Sequence, residues 1–119
     1  MNTNVKEVIV NEIREEIYKE FPYLWEKYGE HGWERTKEDN FHHLKYLETS
    51  FQLQDHSYFE EYALWLNNVL TSRGMSPAII IDNFERLIRH LSKYMTIEEV
   101  PEYVSYLQGA IAILDKIDK

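Results

Sequence analysis

The sequence contains no cysteine, which excludes disulfide bridges, a thiolate nucleophile and any cysteine-ligated metal site. Its four glycines are scattered, so a phosphate-cradling loop, a dinucleotide fingerprint and a nucleophile elbow are all missing. No Asn-Gly or Asp-Gly turn occurs, and no stretch sustains the period of two that a half-buried strand needs. No apolar run approaches the length of a membrane span. The N-terminal stretch lacks a basic region followed by an unbroken apolar one, so a secretory signal is not expected. Basic residues are the minority: 13 Lys and Arg stand against 21 Asp and Glu, a net charge of −8. Such a surface repels phosphate backbones and anionic lipids, so neither nucleic acid nor a membrane is expected as a partner. A cytoplasmic location is the matching expectation.

What is present is apolar periodicity and aromatic mass. The 119 residues are 44% hydrophobic, enough for one domain over residues 1–119 with one core. Nine tyrosines, five phenylalanines and three tryptophans serve either a bulky core or a pocket for a flat ligand.

Helical spacing runs nearly end to end, which predicts an all-α fold of five to six helices. Val5, Ile9, Ile13 and Ile17 form one stripe from about Asn4 to Glu20, with Glu12, Arg14, Glu15, Glu16 and Lys19 facing water. Phe21-Pro22 breaks that helix, and a short one follows from Pro22 to Tyr28, closed by Gly29. The next spans Trp33 to Phe51. Leu44, Leu47 and Phe51 mark its core side, but Thr36, Asn40 and His43 share that face and need partners or a pocket. Ser57 to Glu60 reads as a capping box for a helix ending near Ser72 and Gly74, apolar over more than half its circumference. An arc that wide belongs at the centre of the fold or under a partner. Ser76-Pro77 starts a helix to Tyr94, on which Arg86, Arg89, His90 and Lys93 read as one solvated basic face. Thr96 to Glu99 offers a further box before a last helix carrying Val104, Leu107, Ile111 and Leu114.

No catalytic constellation emerges, and the chain is expected not to be an enzyme. Asp39 lies three residues before His42 and four before His43, spacings that set side chains side by side on a helix. A di-iron bundle needs a second such motif, which is missing. The other reading of the two histidines is one exposed and one buried and hydrogen-bonded. His43 or His90 could also serve as a haem ligand.

Arg35-Thr36-Lys37-Glu38-Asp39, then His42-His43-Leu44-Lys45, Glu60-Glu61-Tyr62 and Ser76-Pro77, resemble the phycobiliproteins in order and interval. The resemblance implies a globin-like fold and a tetrapyrrole, with Arg35 towards a propionate and Asp39 towards the pyrrole nitrogens. Thr36 stands where that family has its bilin-bonding cysteine, so a bilin would be held non-covalently. Glu38 stands where it has a second arginine. The pattern Tyr62-x-x-Trp65-Leu66-x-x-Val69-Leu70-x-x-Arg73-Gly74 also looks like the helical module preceding cobalamin-binding domains in bacterial regulators. The Asp-x-His-x-x-Gly of the cobalamin domain itself is absent.

These readings converge on a non-enzymatic sensor or carrier. Its candidate ligand residues are Arg35, Thr36, Asp39, Asn40, His43, Tyr62 and Trp65. The alternative is a helical homodimer or a module that binds a regulatory protein, its apolar helix from Tyr58 to Leu70 covered by the partner.

Overall fold

A computed structural model describes residues 1–118. Over that range the chain forms five α-helices and no strand: α1 (Thr3–Glu20), α2 (Tyr23–Leu53), α3 (His56–Thr71), α4 (Pro77–Tyr94) and α5 (Val100–Asp118). No helix among the described residues is long and apolar enough to cross a membrane.

Local chemistry sets most of the boundaries. The Asn2 side chain accepts from the Val5 amide at 2.8 Å and opens α1, which stops before Pro22. The short helix and its long successor are one element, α2, bent at Gly29 (φ 61°, ψ −154°). Only a residue without a Cβ adopts that conformation at little cost, so the chain re-enters the helix after a single non-helical residue. The cap of α3 is Asp55 rather than Ser57: its carboxylate accepts from the Ser57 amide at 3.0 Å and hydroxyl at 2.6 Å. Glu60 is then free to bind His56 Nδ1 at 2.7 Å. Ser76 caps α4 through the Ala78 amide at 3.1 Å, with Pro77 in the first turn as expected.

The five helices bury one core. Ile9 and Ile13 of α1, Leu44 and Leu47 of α2, Phe59 of α3, Phe84 and Leu87 of α4, and Leu107 and Leu114 of α5 are fully buried. Each such side chain contributes about 1.5–3 kcal/mol relative to exposure. The wide apolar arc of α3 is covered from within: it lies against α2, α4 and α5, and only Leu64 and Trp65 of its large apolar residues stay exposed.

The charged faces of α1 and α4 do not both turn to water. They meet in a polar seam. Arg86 is 4% exposed and holds Asp82 at 2.8 Å, Glu16 at 3.3 Å and Glu20. His90 Nε2 lies 2.6 Å from Glu16, and the Tyr94 hydroxyl donates to Glu12. The expected solvated basic face is therefore half interface, because four carboxylates reach it from α1 and α4 itself. Arg89 and Lys93 keep the exposed side.

Candidate functional site

Asn40 and His43 turn inward from α2 and are fully or nearly fully buried. Asn40 exchanges amide hydrogen bonds with Asn83 of α4 (3.1 and 2.7 Å) and also donates to the Thr36 carbonyl at 3.0 Å. The Thr36 hydroxyl donates to the Gly32 carbonyl at 2.9 Å. His43 Nδ1 lies 2.6 Å from the Tyr62 hydroxyl. The polar line on the core side of α2 is thus satisfied by protein groups, as buried polar atoms must be. Of the two adjacent histidines, His42 is exposed and His43 buried and hydrogen-bonded.

Burial pushes the His43 imidazole down to about 3 and the Tyr62 phenol well up, so the contact joins a neutral ring to a protonated phenol, with the ring tautomer deciding which of the two donates. His90 is likewise engaged, with Glu16. Arg35 and Asp39 form an i,i+4 ion pair on the surface, Nε to Oδ1 3.6 Å. Partial burial raises the Asp39 carboxyl, and the Arg35 charge works against that rise. No group of three or more His, Asp or Glu side chains disposed to hold a metal ion occurs among the described residues.

A groove opens on the outer side of the same contact between α2 and α3. It has a volume of about 390 Å³ and is lined by His42, Lys45, Tyr46, Thr49, Tyr58, Tyr62 and Trp65. A second depression of about 300 Å³ shares Tyr46, Tyr58, Tyr62 and Trp65 and adds Glu61. The floor is a ladder of rings, Tyr46 of α2 standing between Tyr58 and Tyr62 of α3. Tyr46 and Tyr62 stack at 4.0 Å and 12°, with Tyr58 on Tyr46 at 5.7 Å and Trp65 on Tyr62 at 6.2 Å. Trp65 is 60% exposed, so the ladder ends on an open indole face.

Of the candidate residues, the structure brings Tyr62 and Trp65 into the groove, with Asp39 and Arg35 one and two turns beyond His42 on the same face of α2. Thr36, Asn40 and His43 lie on the other side of that helix. Lys45, Tyr46, Thr49, Tyr58 and Glu61 lie outside the candidate set drawn from the sequence, and His42 enters it only through its metal-ligand spacing from Asp39. Their one sequence signal is the surplus of tyrosines off the core stripe, such as Tyr58 one turn before Tyr62.

No protein-family model matches the chain, and neither a curated protein nor a solved structure is recognisably similar to it.

Proposed function

We propose that this protein is a non-enzymatic sensor or carrier domain of the globin-like, phycobiliprotein-like kind that binds a flat, conjugated ligand non-covalently along the α2/α3 face. The ring ladder Tyr58–Tyr46–Tyr62–Trp65 on the floor of the groove carries this reading. Stacked, partly exposed rings offer apolar area and a π face in one place, which is what a planar molecule needs. The groove volume of about 390 Å³ falls in the range of small-molecule sites. Arg35, Asp39, His42, Tyr46 and Thr49 recur at three- and four-residue intervals, so one stripe of α2 runs roughly 20 Å past the rings. That length suits an extended tetrapyrrole, with Arg35 and Asp39 at its far end. Tyr62 also anchors the ladder to the core through His43.

An absorption titration with biliverdin and with haem tests the proposal. A saturable, sharpened or red-shifted band near one equivalent, lost in Trp65→Ala and weakened in Asp39→Ala, is the expected result. Unchanged spectra with both pigments overturn the tetrapyrrole assignment.

The second reading is a homodimerisation or protein-interaction module. Leu64 and Trp65, adjacent and exposed on α3, favour it. Light scattering that finds a ligand-independent dimer, abolished by Trp65→Ala, would move the assignment there.

A further inference from the structure

The rims of the groove differ in charge. On the α2 side stands Lys45, an exposed ammonium that makes no ion pair among the described residues, with His42 beside it. On the α3 side, Glu61, also exposed, lines the adjoining depression that shares Tyr46, Tyr58, Tyr62 and Trp65 with the groove. Of the tyrosines that line the groove, Tyr46 and Tyr58 have hydroxyls with no hydrogen-bond partner among the described residues, whereas the Tyr62 hydroxyl is committed to His43. The groove and the depression beside it together offer one unpaired ammonium, two unused phenol hydroxyls, a ring floor and one anion on the α3 side.

We propose that the ligand is a planar molecule with its carboxylate edge towards α2, a carboxylate there being received by Lys45 and the Tyr46 and Tyr58 hydroxyls, and with no negative charge on the edge that faces α3. Lys45 is then a specificity-determining residue, and Glu61 sets which way round the ligand lies. A carboxylate between an ammonium and neutral phenols gains charge-assisted hydrogen bonds, and a second one against Glu61 meets like charge. The assignment rests on the groove being the ligand site, and the experiment separates the two.

Binding of pyrene-1-carboxylate and of its uncharged counterpart pyrene-1-carboxamide is followed by probe fluorescence in low salt. The wild-type protein binds the carboxylate about two- to five-fold more tightly than the amide, the range of one exposed ion pair. Lys45→Gln removes that preference, bringing the two affinities together, and Glu61→Gln strengthens binding of the carboxylate. Equal affinities in the wild type, or a preference that survives Lys45→Gln, overturn the role of Lys45 while the groove stands. If neither probe binds saturably, the groove reading falls and takes this assignment with it.

Discussion

The Nδ1 atom of His43 lies 2.6 Å from the hydroxyl oxygen of Tyr62, and this contact ties α2 to α3 on the core side of the aromatic groove. In the folded protein it joins a neutral imidazole to a protonated phenol. Burial enforces both states, lowering the ring to about 3 and raising the phenol.

Acid should therefore loosen this protein through His43. Its folded-state value lies below the 6.5 of an unstructured histidine, so between them the unfolded chain binds the extra proton. The stabilisation is complete above pH 6.5 and is lost as the pH falls towards 3, at up to about 1.4 kcal/mol per pH unit. Asp39, whose carboxyl is raised, works in the opposite sense, its share being present at low pH and lost as pH rises. Urea midpoints measured from pH 7 to pH 4 should fall steeply in the wild type. They should fall less in His43→Leu/Tyr62→Phe, which removes the ring without leaving the phenol unpaired. Parallel slopes would show that His43 is not the group responsible.

Arg86 is the keystone of the α1–α4 seam. Its buried guanidinium reaches Asp82, Glu16 and Glu20 with different nitrogens, a fork that lysine cannot reproduce. Arg86→Met leaves three carboxylates close together without their cation. Loss of a buried pair's partner costs about 3–5 kcal/mol, and the partial exposure of these acids brings the expected loss below that range, to about 2–3 kcal/mol. Chemical denaturation measures it, and high salt should narrow the gap to the wild type. A loss below about 1 kcal/mol would place the seam among ordinary surface ion pairs.

The bend in α2 makes a contrast between two glycines. At Gly29 an added Cβ meets no atom within 4 Å, so Gly29→Ala pays only for the positive φ of 61°, about 1–3 kcal/mol. At Gly32 the Cβ would sit 2.5 Å from Tyr28 Cβ and 2.8 Å from the Tyr18 hydroxyl. Gly32→Ala must therefore displace Tyr18 from the cluster in which its ring meets Trp25 and Trp33 edge-on, each at 5.1 Å. Tryptophan emission should shift in Gly32→Ala and stay close to wild type in Gly29→Ala. The reverse pattern would contradict the packing described.

Asn40 and Asn83 satisfy one another between α2 and α4. Asn40→Leu strands the Asn83 amide and should cost about 1–3 kcal/mol, the penalty of an unpaired buried polar group. Asn40→Leu/Asn83→Leu removes both partners and should recover a good part of that loss. A double variant no better than the single one, in the same thermal or urea unfolding assay, would mean that packing rather than pairing governs the site.

The helices and most of their ends were legible in the sequence because they depend on neighbours in the chain. Ser76 and Pro77 start α4 by satisfying and omitting amides within one turn, and Pro22 ends α1 by local sterics. Where two local solutions competed, sequence chose wrongly: Asp55 and Ser57 can each cap α3, and Asp55 does. The same holds at Gly29, which can close a helix or bend one.

The all-α class, the absence of cysteine chemistry, the acidic surface and the polar interruption at Thr36, Asn40 and His43 were determined by the sequence alone, since composition and 3.6-residue periodicity carry them. Tertiary structure decided which faces meet. Glu16 and Arg86 stand 70 positions apart, and nothing local tells a charged helix face that another of opposite sign will cover it. Tyr46 and Tyr62 likewise form a ring stack only because α2 and α3 fold back on one another. The candidate site moved from the polar line inside α2 to the aromatic face outside it for that reason: periodicity gives the side of a helix a residue occupies, and only packing gives what lies opposite.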